Sequence, residues 1–232
     1  MRLDEYRSNI TSQFGENGIL AYLISAFPNI PKTCLEVGAS DGIENSNTNP
    51  LWTNGWKALL IEAGQDQFLA LNRNTDHCDA VLIREVIEPT GSRSLDALAK
   101  QSRFPTIGVC SIDIDSCDYW IFAHMQARPA IVIIECNPDF PILVSYHDPE
   151  GPSLLRHSAR AVAELGAKKG YRAIACTGPN VILMRGYHCN QPGCGPQRAA
   201  VRAGGYGIHG QPLTLDRGGE AFYLPARLQA SA

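Results

Sequence analysis

The stretch Cys34–Gly42, CLEVGASDG, decides the fold of this chain. It contains most of an apolar segment, Thr33–Val37, which only Glu36 interrupts, and it then breaks into small residues from Gly38 to Gly42. A buried strand that runs into such a turn leaves its backbone open at the carboxyl edge of a sheet, where open α/β sheets hold ligands. The stretch therefore predicts the first strand of a ligand-binding α/β sheet.

A second apolar strand follows at the interval that nucleotide-binding sheets use. It lies in Trp56–Ala63, WKALLIEA, and its end at Glu62 comes about 20 residues after the glycine turn. A carboxylate at that position binds ribose hydroxyls. The turn lacks the glycine that lets a pyrophosphate approach, and the acids Glu36 and Asp41 repel phosphate. The residues therefore favour a cationic nucleoside, and S-adenosylmethionine is the obvious example.

The bulk composition is that of one globular domain. The chain has 232 residues, of which 44% are hydrophobic, and a net charge of −3. It shows no basic stripe for nucleic acid, no run of about 20 apolar residues for a membrane span and no apolar signal region at its start. The eight cysteines are then expected to be reduced and mostly buried. We expect a cytoplasmic protein and leave homo-oligomerisation open.

Helical and strand patterns alternate along the rest of the chain. The main helices are predicted over Ser12–Phe27, with Ser12 as N-cap, and over Asp66–Asn74, Ser92–Gln101, Tyr119–Gln126 and Ser153–Gly170. The later strands are predicted over Cys78–Val86, Thr106–Asp115, Ala130–Glu135, Tyr171–Cys176 and Asn180–Arg185, the last two as an antiparallel pair. This alternation predicts a parallel sheet with helices on both faces. Residues 1–186 form the predicted domain, and the Gly- and Pro-rich residues 187–232 form an extension or lid.

Acidic residues gather at the ends of the fourth and fifth predicted strands. Asp113 and Asp115 alternate onto one face of the fourth strand, and Glu135 and Asn137 share a parity at the fifth. If these strands are neighbours, carboxylate and amide oxygens meet at one sheet edge, as Mg²⁺ or Ca²⁺ requires. Such an ion would lower the pKa of a substrate hydroxyl, whereas without it a carboxylate would act as general base. The alternative, strongest for Asp118, is that these acids cap the next helix and bond loop backbone.

Three further polar residues are candidates for contacts with a ligand. His147 lies in the loop after the fifth strand, where it would serve as a base or contact the acceptor. Gln13 and Glu16 precede the first strand and would close over the cofactor.

The ordered set of motifs resembles one family. The motifs are SQFGENGI at 12–19, EVGASDG at 36–42, NTNPLWTNGWKALLIEA at 47–63, SIDIDSCDYW at 111–120, IVIIECNP at 131–138 and the ending GYR…NVILMR at 170–185. They look like those of FkbM-type class I SAM-dependent methyltransferases. The resemblance implies a Rossmann-like, seven-stranded sheet of order 3-2-1-4-5-7-6 with an antiparallel last strand. It implies transfer of a methyl group from S-adenosylmethionine, usually to a hydroxyl of a small-molecule or glycan acceptor such as a sugar or natural product.

The resemblance also implies roles for individual residues. Cofactor contacts fall to Glu36, Gly38, Ala39, Asp41, Gly42, Thr48, Glu62 and Asp113, with Glu62 on the ribose hydroxyls. Asp113 stands at the catalytic edge, and a divalent cation would be held by Asp115, Glu135 and Asn137. Two rival functions remain. One is a catalytically silent relative that binds the cofactor or a glycan. The other is an NAD-dependent oxidoreductase, which the missing glycine disfavours.

Overall fold

A seven-stranded sheet forms the body of the chain in the computed structural model, which describes residues 3–102, 104–151, 153–186, 214–215 and 221–222. Its strands are β1 (Thr33–Val37), β2 (Lys57–Glu62), β3 (Ala80–Arg84), β4 (Val109–Ile112), β5 (Ile131–Glu135), β6 (Tyr171–Cys176) and β7 (Asn180–Arg185). The order is β3-β2-β1-β4-β5-β7-β6, and β7 runs antiparallel to both of its neighbours. The predicted fold class and strand order are confirmed.

Six α-helices accompany these strands within the described residues. They are α1 (Glu16–Ala26), α2 (Asn49–Trp52), α3 (Gln65–Asn74), α4 (Leu95–Ser102), α5 (Asp118–His124) and α6 (Ala159–Lys168). Alternate residues of β1 face opposite sides: Cys34 belongs to a core cluster with Leu20 of α1, and Leu35 belongs to a second cluster with Val162 of α6. The strands are mostly apolar because helices bury both faces of the sheet.

The first helix is shorter than predicted. It begins at Glu16 rather than Ser12, after Gly15 with a φ of +95°. The side chain of Asn17 explains the difference, because its Oδ1 accepts backbone N–H bonds from Ile10, Thr11 and Ser12 at 2.8–3.1 Å. These bonds hold the preceding residues in a loop instead of a helical turn.

The last helix is also shorter than predicted. It begins at Ala159 instead of Ser153, and the hydroxyl of Ser158 caps it by accepting a bond from the N–H of Ala161. Leu154 and Leu155, which fall within the predicted helix, are 73% and 53% exposed. They lie in a loop whose backbone N–H groups donate to the buried carboxylate of Asp148.

The fourth strand ends three residues early, at Ile112. Asp113 and Asp115 therefore do not alternate on a strand, and the prediction that they share a strand face is wrong. Asp115 has a φ of +56°, so the chain turns sharply there. The two side chains are brought together by this turn.

The predicted extension or lid at 187–232 lies outside the described residues, apart from the short antiparallel pair β8 (Thr214–Leu215) and β9 (Ala221–Phe222). Within the described ranges, no helix combines the length and the apolar character that crossing a bilayer requires.

Candidate functional site

A cavity of 640 Å³ opens at the carboxyl ends of β1 to β5. Its walls are residues 36–38, 61–63, 85–87 and 113–116 at or just after β1 to β4, together with Glu135 of β5; Gln13, Ser40, Glu44 and Asn45 add to them from loops. The volume lies within the range of small-ligand sites. Because the strand order reverses between β1 and β4, the cavity lies at the topological switch point, where such sheets bind ligands.

Gly38 shapes the cavity where β1 leaves the sheet. Its φ is +77°, and a Cβ at this position would lie 1.8 Å from the carbonyl oxygen of Asp113. The N–H groups of Gly38 and Ala39 both donate to the carbonyl oxygen of Ile61, at 3.0 and 3.1 Å. The turn therefore packs β1, β2 and β4 at a distance that only glycine permits.

Replacing Gly38 with alanine is expected to lower the free energy of unfolding by about 3 kcal/mol or more, since the new Cβ collides with backbone and φ is left-handed. Gly55→Ala is the matched control: Gly55 has a φ of +84°, but a Cβ there would meet nothing within 4 Å. Urea denaturation of both variants separates the collision from the backbone strain. Equal losses in the two variants would contradict the close packing at Gly38.

Glu62 lies at the tip of β2 in the cavity wall. One of its carboxylate oxygens accepts the N–H of Ser40 and the other accepts the N–H of Gly64, both at 2.7 Å. Each oxygen keeps a further lone pair for a ligand. The carboxylate is thus fixed in orientation at the place predicted for the ribose hydroxyls.

Glu36, although it borders the cavity, is used by the chain itself. Its Oε2 accepts the hydroxyls of Ser46 and Thr48 at 2.7 and 2.6 Å, and its Oε1 accepts the N–H of Asn47 at 2.8 Å. Burial raises the pKa of Glu36, and these bonds oppose that rise. Thr48 is fully buried against this carboxylate and does not line the cavity. The bonds of Glu36 to residues 46–48 stabilise the loop before α2.

Three predicted residues of the glycine turn, Ala39, Asp41 and Gly42, lie outside the cavity wall. Ala39 is buried, and Asp41 accepts the N–H groups of Ile43 and Glu44, both at 2.8 Å. Gly42, with a φ of +81°, packs so closely against Leu71 that a Cβ would lie 2.6 Å from its methyl carbon. These three residues, which were predicted to contact the cofactor, stabilise the turn and do not face the cavity.

Three carboxylates meet at the opposite wall. Asp113, Asp115 and Glu135 each place an oxygen within 4.8 Å of the others. The guanidinium of Arg156 joins two of them: its Nη1 donates to Oδ1 of Asp115 at 2.6 Å and to Oε2 of Glu135. The structure thus brings together three predicted site residues and adds an arginine that the sequence interpretation placed on a helix.

Asp113 is the carboxylate with the most perturbed environment. Burial, followed by the charge of Glu135, raises the pKa of Asp113 to about 8. Asp113 and Glu135 share a hydrogen bond. Because Arg156 bonds Glu135 and not Asp113, the guanidinium favours the ionised form of Glu135, whose charge then raises the pKa of Asp113 further.

The other predicted residues have different surroundings. Asn137 does not line the cavity: its Nδ2 donates to the carbonyl oxygen of Leu155 at 3.1 Å, and its Oδ1 accepts the N–H of Asp139 at 2.9 Å. His147 also lies outside the lining, with its ring stacked on Tyr119 at a centroid distance of 4.3 Å. Neither residue therefore lines the cavity beside the carboxylates.

Two acidic residues that the sequence analysis named, Asp118 and Glu16, accept hydrogen bonds from the chain itself. Asp118 accepts the N–H groups of Ile114 and Ser116 at 2.8 and 3.0 Å, so it fixes the turn that carries Asp115. Glu16 is fully buried and accepts the amide of Asn180 at 3.0 Å and the hydroxyl of Thr177. Gln13, which follows the loop held by Asn17, does line the cavity as expected.

Sequence reasoning missed two features of the site. Arg156 bonds to the carboxylate of Asp115 in the wall, and residues 85–87 after β3 line the cavity. A signal for the first was present, because Ser158 is a strong N-cap residue and a helix starting behind it leaves Arg156 in a loop. Residues 85–87 carry no motif, and only the adjacency of β3 and β2 brings them to the cavity.

No protein-family model matches this chain, and no curated protein matches it in sequence. Solved structures with a similar fold include magnesium protoporphyrin IX methyltransferase from Synechocystis PCC 6803 with bound SAH, at 11% identity and a TM-score of 0.48, over 73% of this chain and 81% of that one. CalS10, an amino pentose methyltransferase from Micromonospora echinaspora, has 10% identity and a TM-score of 0.47 over 73% and 89%. Streptomyces venezuelae DesVI has 13% identity and a TM-score of 0.46 over 73% and 89%. Likenesses this remote carry no argument about activity.

Proposed function

We propose that this chain is a class I SAM-dependent methyltransferase that methylates a hydroxyl of a sugar or natural product. The observation that carries the proposal is the cavity at the switch point, with the carboxylate of Glu62 fixed in its wall by two backbone N–H groups. A carboxylate at the end of β2 suits ribose hydroxyls. The resemblance in the ordered motifs and the strand order it implies point in the same direction.

The order of the strands orients the bound cofactor. β3 lies beyond β2, so residues 85–87 would receive the base of a nucleoside whose ribose is held by Glu62. Gly38 and Asp113, on the side of β1 that faces β4, would hold the methionine end. Acidic side chains along this path favour the cationic sulfonium and amino groups.

The reaction is a displacement at the methyl carbon. The acceptor oxygen forms the new bond to carbon, the carbon–sulfur bond breaks with its electron pair going to sulfur, and the hydroxyl proton passes to the ionised form of Asp113. Holding the three reacting centres in line supplies much of the rate. Asp113 lies in the cavity wall and is the base in this proposal; His147, outside the wall, is the weaker candidate.

A divalent cation would be the other means of activating the hydroxyl. Hard carboxylate oxygens such as those of Asp113, Asp115 and Glu135 suit Mg²⁺. However, Arg156 already donates to two of the three, and Asn137 is engaged elsewhere. These residues therefore do not fit a metal ion while the arginine is bonded to them. Cytoplasmic location stays a prediction from the sequence, and homo-oligomerisation stays open.

Thermal unfolding with S-adenosylhomocysteine, with NAD and with no ligand tests the proposal. At about 100 times the dissociation constant, S-adenosylhomocysteine is expected to stabilise the protein by about 2.7 kcal/mol, and NAD is not. Glu62→Ala is expected to abolish the shift, whereas Asp76→Ala, an exposed acid outside the cavity, keeps it.

The rival functions give different results in the same experiment. No stabilisation by S-adenosylhomocysteine would refute the proposal, and a shift with NAD alone would favour the oxidoreductase. Binding without methyl transfer to any member of a broad panel of hydroxyl acceptors would indicate a catalytically silent protein.

A further inference from the structure

We infer that Arg156 is the chain's own cation at the acceptor end of the cavity, holding Asp115 and Glu135 in the place where a divalent ion would otherwise bind. The consequence of this inference for catalysis is that methyl transfer needs no added metal, and this consequence rests on the proposed function. The binding claim itself does not depend on that function.

The geometry around the guanidinium supports this inference. A single nitrogen, Nη1 of Arg156, bonds to both Asp115 and Glu135, and the arginine side chain is only 20% exposed. Charge-assisted bonds of this kind are among the stronger hydrogen bonds in proteins. A metal ion bound by the same oxygens would have to break both bonds and would be repelled by the fixed positive charge.

The loop before α6 is built so that Arg156 reaches this position. The carboxylate of Asp148 accepts the backbone N–H groups of Leu154, Leu155 and Arg156 at 2.7–3.1 Å, and it also accepts the hydroxyl of Tyr146 at 2.8 Å. Burial raises the pKa of Asp148, but these bonds outweigh it and lower the pKa to about 2. Arg156 itself has a left-handed φ of +66°. The carboxylate of Asp148 thus fixes the conformation of the loop and positions Arg156.

Three further contacts connect this loop to the end of β5 and the residues after it. The amide of Asn137 donates to the carbonyl oxygen of Leu155, and the ring Nε2 of His157 lies 2.5 Å from the carbonyl oxygen of Glu135. The backbone N–H of Asn137 also donates to the carbonyl oxygen of His157 at 2.8 Å. Asn137, which the sequence nominated as a metal ligand, therefore helps to hold the loop that carries the arginine.

Binding of Mn²⁺, followed by electron paramagnetic resonance, tests the inference without any need for turnover. The wild-type protein is expected to bind no Mn²⁺ at these carboxylates in the micromolar range. Arg156→Met removes the charge while keeping an unbranched side chain, and it is expected to bind one Mn²⁺ at least about 100-fold more tightly. The triple variant Arg156→Met, Asp115→Asn, Glu135→Gln is expected to lose that site.

Two results of this experiment would overturn the inference. Tight binding of one Mn²⁺ to the wild-type protein that Asp115→Asn and Glu135→Gln abolish would overturn the inference, and this arm needs no arginine variant. A folded Arg156→Met protein that gains no site would overturn it as well. If the methyltransferase proposal failed, S-adenosylhomocysteine would not bind, but the Mn²⁺ result would stand unchanged.

Discussion

Asp113→Asn is expected to lower the rate of methyl transfer by about 10²–10⁴-fold, the range that a lost general base costs. The substitution keeps the size of the side chain and its bond to Glu135 but removes the group that takes the proton. Affinity for S-adenosylhomocysteine is expected to change by less than about threefold, because Glu62 and the glycine turn remain. Single-turnover methylation of an acceptor from the panel measures the rate, and calorimetry measures the affinity.

The pH dependence gives the same prediction a second readout. Burial raises the pKa of Asp113 to about 8, and only the ionised form accepts a proton, so the rate is expected to rise with pH until it levels off above about 8. Asp113→Asn is expected to lose that inflection.

Asp115→Asn is the matched control, since the same change is made two residues away on a carboxylate whose side chain is 81% exposed. We expect it to lower the rate by less than about tenfold and to retain the inflection. A rate for Asp113→Asn within about threefold of wild type would remove Asp113 from the mechanism.

The sheet was predictable because its signals are local and repeated. Each strand from β1 to β5 is a short apolar run between turn residues, and burial on both faces requires that pattern wherever the strand lies. The order of the strands came from the resemblance and not from the pattern, because apolar runs do not specify their neighbours. Glu62 was identified because its position depends only on the end of one strand.

The starts of α1 and α6 and the group of carboxylates at the cavity were harder to predict. Buried side chains that lie several residues away in the sequence determine their conformation. Asn17 holds the residues before α1 in a loop, and Asp148 does the same before α6. Both act by accepting several backbone N–H groups, which a helical period does not reveal. Arg156 became part of the site only through the second of these loops. Acids near a cavity therefore need their donors counted before they are assigned to a ligand.

Glu36→Ala is expected to lower the free energy of unfolding by about 3–5 kcal/mol, because it leaves two hydroxyls and one backbone N–H buried without their acceptor. Glu36 is only 3% exposed, whereas Glu62, which the sequence also assigned to the cofactor, lies partly exposed at a strand tip. Glu62→Ala is therefore the control, with a loss of about 1 kcal/mol but no binding of S-adenosylhomocysteine. Chemical denaturation and calorimetry on both variants test the contrast. Unchanged stability in Glu36→Ala together with lost affinity would mean that Glu36 serves the ligand directly and that its three bonds to residues 46–48 matter little.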